Sequence, residues 1–164
     1  MVIPHFFQTI EESGFSTWVR DSPFWAILSL HAIGMASLVG ASTVIALRIL
    51  GVAPDLPLAP LDRLYRFIWV GFWIQVVTGL MLLIGYPTKS LTNWDFYLKL
   101  VLIALGMTVM QMIRKRVFTD LSMSEADMMI RGRALAMSSL LLWLATVTSA
   151  RILAYTYTNI TYPG

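Results

Sequence analysis

Four long apolar stretches, broken by short polar or proline-bearing segments, set the pattern of this chain. The first covers residues of about 24 to 47 and stops near Arg48 and Gly51. The second, RFIWVGFWIQVVTGLMLLIG, covers about 66 to 85 and is closed by Pro87. The third covers about 94 to 113 and the fourth about 134 to 155. Each approaches the roughly 20 apolar residues that a helix needs to cross a hydrocarbon core of about 30 Å. No alternating pattern of the barrel type is present, so the blocks predict helices rather than strands.

The flanks carry their own signals. In residues 4 to 19, Phe6, Phe7, Ile10, Phe15 and Trp18 are interleaved with Gln8, Glu11, Glu12 and Ser13. That predicts a short amphipathic segment lying on the membrane surface and interrupted near Gly14. A basic head followed by an apolar run is missing, which argues against a signal peptide. Ser22 before Pro23 fits a helix N-cap with proline in the first helical position. The linker VAPDLPLAP carries three prolines and is not expected to be helical throughout. Thr92 and Asp95 resemble a capping pair for the third span. Residues 114 to 133 form the polar connection to the fourth. Ser122 and Glu125 have capping-box spacing there, so that helix is free to begin before it enters lipid.

Composition strengthens the membrane reading. Apolar residues make up 57% of the chain and charged ones 13%, against about 25% charged in an ordinary soluble domain. Mean hydropathy is +0.71. The expected architecture is all-α: one domain, residues 1 to 164, forming an integral membrane four-helix bundle with an N-terminal amphipathic interfacial helix. Cysteine is absent, which excludes disulfides, thiolate metal sites and iron–sulfur clusters. The net charge of +3 does not point to nucleic acid, because the basic residues gather at span ends. Arg48, Arg63 and Arg66 mark one loop and Arg114, Lys115, Arg116, Arg131 and Arg133 another. The opposite side has Arg20, Lys89 and Lys99. Excess positive charge stays in the cytoplasm, so both termini are expected on the periplasmic side of a bacterial inner membrane. Trp25, Tyr86, Trp94, Tyr97 and Tyr155 then fall in an outer aromatic belt, Tyr65 and Trp69 in an inner one.

The chemistry of the chain concentrates on one imidazole. Of the two histidines, His5 belongs to the surface segment and His31 lies inside the first span. Seven residues into a helix correspond to roughly 10 Å of depth. Met81, Lys99 and Arg151 fall near the same level of the other three spans. A structural reading is available for each. His31 has Ser29, Thr78, Thr148 or Ser149 as hydrogen-bond partners, and the two cations can snorkel to the boundary. Gly34 and Gly40 leave room for a flat ligand or for a neighbouring helix. Three functional uses also fit. His31 is a candidate axial ligand for haem b, with Met81 or the His31 of a second copy as the other ligand and the cations pairing the propionates. It is a candidate hydrogen-bond and proton partner for a quinone. It is also a candidate metal ligand, since imidazole and thioether suit Cu(I). Gln75 and Gln111 read as helix-joining amides. No pair of carboxylates lies within the spans, which disfavours a proton-driven transporter. No nucleophile–base arrangement, P-loop or GxGxxG is present.

The stretch WVRDSPFWAILSLHAIGMASLVGASTVIALRILG resembles the opening of a domain-of-unknown-function family of small bacterial four-helix inner-membrane proteins. Trp18, Arg20, Ser22, His31, Gly34, Gly40, Arg48 and Gly51 carry the likeness. GFWIQVVTGLMLL, NWDFYLKL and TSARILAY extend it over nearly the whole chain. The family's acidic residue before the exit arginine is replaced by Ala46 and Leu47, and its late glycine by Ala150. The resemblance implies the four-span architecture and, loosely, a kinship with b-type cytochrome and copper-resistance membrane bundles. Two roles are expected from the shared depth of His31, Lys99 and Arg151 near the outer leaflet. One is a membrane subunit that transfers electrons through haem b or quinone. The other is a cofactor-free anchor or scaffold for a periplasmic partner. Its expected partners are membrane lipids and a second copy or a larger membrane complex.

Overall fold

The computed structural model describes residues 9–10, 12–21, 24–119 and 123–161. It is helical, with no strand among the described residues. Helix α1 spans Gly14–Asp21, α2 Phe24–Ile49, α3 Tyr65–Gly85, α4 Pro87–Leu91, α5 Trp94–Ile113 and α6 Glu125–Thr161. A 3₁₀ turn, Ala59–Leu64, leads into α3, and a π-helical turn, Arg114–Phe118, extends α5. Four segments are long and apolar enough to cross a membrane: Phe24–Ile49, Ala59–Gly85, Trp94–Phe118 and Glu125–Ile152.

The helix ends follow local chemistry. Gly51, in the left-handed region at φ 95°, terminates α2. The Gly51 N–H donates to Arg48 O at 3.1 Å and the Val52 N–H to Leu47 O at 3.0 Å, a Schellman arrangement. At the start of α5 the cap is Asn93, not Thr92. Asn93 is extended, and its side chain accepts the Asp95 N–H at 3.0 Å. The fourth helix starts at Glu125, well before residue 134, so much of the polar connection is helical. Polar residues are compatible with an exposed helix, and Glu125 and Asp127 suit a first turn. Ser124 Oγ accepts the Asp127 N–H at 3.3 Å. The Ser22–Pro23 cap, Ser122, His5 and the first part of the amphipathic segment lie outside the described residues. The Tyr155 side chain does as well.

Helix α2 packs against both α3 and α6, and α5 packs against α6. The circuit closes between α3 and α5 at one end, where the Tyr65 hydroxyl donates to Met110 O at 2.8 Å. Nearby, Arg114 pairs with Asp62 at 3.0 Å. The interior divides along its length. Towards this end the buried hydrophobic residues form one cluster that includes Leu38, Ile45, Ile49, Tyr65, Ile68, Met110, Ile113 and Trp143, with Ser42, Arg48 and Ser139 buried beside it. Towards the other end the buried set is largely polar: Gln75, Thr78, Asp95, Thr146 and Ser149.

Two features fasten the helices. Gly34 on α2 and Gly71 on α3 let the backbones touch. A Cβ added to Gly71 would stand 2.7 Å from Gly34 O and from Leu38 N. At the apolar end, Arg48 is only 3% exposed and binds three oxygen acceptors besides the Met129 sulfur at 3.6 Å. Its guanidinium donates to Leu56 O, to Pro54 O at 3.2 Å and to Glu125 Oε2 at 2.9 Å. Glu125 Oε1 in turn accepts the Leu58 N–H at 2.8 Å. The linker is thereby tied to α2 and to α6 at once.

Gly71→Ala is expected to lower stability by roughly 1–3 kcal/mol, since a methyl group against backbone atoms cannot be relieved by a rotamer change. Gly40→Ala, where an added Cβ meets nothing within 4 Å, should be close to neutral. Thermal unfolding in detergent compares the two. Arg48→Ala should cost about 2 kcal/mol through lost charge-assisted hydrogen bonds. Arg48→Lys should recover less than half of that, because an ammonium lacks the planar fork.

Candidate functional site

The polar end of the interior is built on α3. Gly71, Gln75 and Thr78 recur at i, i+4 and i+7, so they share one face of the helix. All three are buried. Gly71 sets the close approach to α2, and the two residues beyond it reach α2 by hydrogen bonds. The Gln75 amide donates to His31 O. Thr78 Oγ1 lies 2.7 Å from His31 Nδ1. Among Ser29, Thr78, Thr148 and Ser149, Thr78 is therefore the hydroxyl that engages the ring. Ser149 and Thr148 turn instead to Asp95 O and Leu144 O.

The direction of the His31–Thr78 bond follows from the other bond that Thr78 makes. Its hydroxyl is 2.6 Å from Ile74 O, one turn back on its own helix. A carbonyl only accepts, so the single hydroxyl proton goes to Ile74 and Oγ1 accepts from His31. His31 thus carries its proton on Nδ1 and presents Nε2 as a bare acceptor. A histidine oriented through one nitrogen, with the other free, has the arrangement of a ligand or a proton-accepting base. The ring rests against the bare backbone of Gly79, where an added Cβ would be 3.6 Å from Cε1. The imidazole is half-buried.

Of the remaining predicted residues, Lys99 of α5 is half-buried and within electrostatic reach of His31. Contacts between antiparallel helices give the levels. Gly132 of α6 faces Ile49 of α2. Equal steps back from Ile49 and on from Gly132 set His31 level with Ala150, beside Arg151. The Ser149–Asp95 contact puts Lys99 about one turn deeper. Arg151 shares the level but not the interior, for its side chain is exposed. Met81 is half-buried, three residues beyond Thr78 on α3. Gly34 receives a helix rather than a flat ligand: an added Cβ would meet Ile74 Cγ2 at 2.7 Å. Among the described residues no three His, Asp or Glu side chains gather to hold a metal.

Sequence reasoning singled out His31 and the amide of Gln75 as a helix joiner. It left Thr78 as one of four partners and missed Gly71 and Gly79. The signal was present in the i, i+4, i+7 spacing of small and polar residues within an otherwise large and apolar second span.

Thr78→Val is expected to destabilise the protein by about 1 kcal/mol, because the Nδ1–H loses its acceptor at a half-buried site. Thr78→Ser keeps that acceptor and should stay within a few tenths of a kcal/mol. Melting curves of the two variants side by side separate the hydrogen bond from simple packing. In comparisons with known proteins, no family model, curated protein or solved structure matches this chain.

Proposed function

We propose that this chain is an integral membrane four-helix bundle with its amphipathic N-terminal helix at the interface, seated in a bacterial inner membrane with both termini periplasmic. It holds a quinol headgroup at His31, near the periplasmic leaflet, as an electron-transfer subunit of a homo-oligomer or a larger membrane complex. One observation carries the reading: the His31 Nδ1–H is committed to Thr78, which leaves Nε2 as a proton acceptor. A quinol hydroxyl donates to such a nitrogen. Lys99, half-buried on α5 about one turn from the level of His31, favours when charged the oxyanion that forms as the proton leaves. The polar half of the interior supplies the setting, and the bilayer holds the quinol's apolar tail.

The orientation is supported by the charge count. Arg48, Arg63, Arg66, Arg114, Lys115, Arg116, Arg131 and Arg133 lie at or beyond the apolar end. Exposed Arg151, near the opposite boundary, suits a snorkelling cation. Exposed Phe15 and Trp18, stacked at 5.8 Å on α1, suit an interfacial helix.

Haem b uses the same lone pair, and an Nδ1–H held by Thr78 is what an axial histidine requires. It also demands a second strong ligand, from Met81 or from the His31 of another copy. A quinol needs one acceptor and one cation, so it fits this chain with fewer additions.

Decylubiquinol titrated into the purified protein in nanodiscs is expected to change tryptophan emission saturably. His31→Ala should weaken the apparent affinity at least tenfold with little change in melting temperature. Equal titrations for both proteins would remove the site. A Soret band in the untreated protein would assign Nε2 to haem iron. A colourless protein with no saturable response would leave the role of a cofactor-free scaffold for a periplasmic partner.

A further inference from the structure

A second site lies at the other end of the molecule, away from His31. Where the π-helical turn meets the start of α6, a cleft of about 750 Å³ is lined by Lys115, Arg116, Thr119 and Arg131. Three of its four residues are cations. Their neighbour Arg114 is neutralised by Asp62, but no described acidic side chain pairs with Lys115, Arg116 or Arg131. Lys115, Arg116 and Thr119 line the cleft from one turn; the Thr119 hydroxyl donates to Arg114 O at 3.4 Å and keeps its lone pairs towards the cations. The turn has π geometry, a local widening that is frequent at functional sites. Three cations that no described acidic side chain pairs repel one another around one cleft, and an anion that enters relieves the repulsion.

The surroundings define which anion fits. From Arg131, α6 continues at i+4, i+7 and i+11 with Leu135, Ser138 and Leu142, none of which is buried. The Ser138 hydroxyl donates to Ala134 O at 3.0 Å, so it leaves no unmet polar group on that stripe. From Arg116, α5 runs back through Met112, Val109 and Leu105, also unburied. The closest approach of the two helices is taken by other residues, such as Gly106 against Trp143. Two apolar stripes therefore flank a groove between α5 and α6 that leads from the cationic cleft along the spans. A free phosphate uses only the cleft. A phospholipid uses both, with its phosphate among the cations and an acyl chain along the groove.

We propose that the cleft of Lys115, Arg116, Thr119 and Arg131 binds the phosphate of an anionic phospholipid whose acyl chain lies in the α5–α6 groove. Zwitterionic lipids bind less well, because their ammonium group returns a positive charge to a cleft that already holds three. The site is independent of the quinol reading, since it lies at the opposite end and shares no residue with it.

Native mass spectrometry of the purified chain in dodecyl maltoside tests this, with phosphatidylglycerol, phosphatidylcholine and inorganic phosphate as probes. Phosphatidylglycerol adducts should survive detergent removal and exceed phosphatidylcholine adducts at least tenfold. The combined Lys115→Gln, Arg116→Gln and Arg131→Gln variant should lose that preference. The Arg63→Gln, Arg66→Gln pair, which removes exposed cations outside the cleft, should keep it. Since the cleft side chains are exposed, the variant is expected to fold, and Arg131→Gln alone gives a milder check with a severalfold loss. Equal retention by the cleft variant, or an equal loss in the control pair, would overturn the proposal. So would displacement of the lipid by millimolar inorganic phosphate, which would make the cleft a site for a soluble anion.

Discussion

The contact between the backbones at Gly34 and Gly71 is the constraint from which the functional end of the molecule follows. In lipid there is no hydrophobic gain from bringing two apolar helices together, so close packing must supply the attraction. With no side chain on either residue, α2 and α3 come near enough for Gln75 to reach His31 O and for Thr78 to reach the ring. Spread by one methyl group, the helices would lose the short hydrogen bonds beyond the crossing. The tautomer of His31 thus rests on a pair of glycines one to two turns away.

The interior is not uniform, and the difference has a physical sense. Its apolar half, around Tyr65, Met110 and Trp143, packs all four long helices and closes the circuit between α3 and α5. Its polar half holds hydroxyls and an amide that already have backbone carbonyl partners, on their own helix or a neighbouring one. Buried polar groups cost little once satisfied, so this half is tolerated without a reactive role for most of its members. Nε2 of His31 is a group of this half that the described bonds leave open. The apolar half supplies most of the packing, and the polar half presents an unused acceptor on His31.

Much of the architecture was legible because membrane helices announce themselves locally. Length and apolarity placed the starts of α2, α3 and α5 within a residue or so of their positions. Glycine and proline marked the turn at Gly51 and the linker. What escaped were choices between neighbours and pairings across distance. Thr92 and Asn93 are equally plausible caps in sequence, and only the extended backbone of Asn93 decides. Glu125 resembles half of a capping box, yet its carboxylate leaves the helix end for Arg48 and Leu58. Arg151 looked like an inward cation because its neighbours are small, but in the structure it is exposed. At the candidate site the residue type drew attention to His31, while its protonation pattern came only from the geometry of Thr78.

The clasp at Arg48 also bears on how the chain is made. Arg48 and Glu125 are separated by two complete spans, so they meet only after the ribosome has synthesised the start of α6. Until then the Arg48 guanidinium has the linker carbonyls of Pro54 and Leu56 within reach but no carboxylate. When Glu125 arrives, the same guanidinium is withdrawn from water and becomes a tie between the linker and the last helix. A single residue thus ties its own linker to the last helix only once that helix has been made. A chain arrested before residue 125 would hold its topology without its fastening.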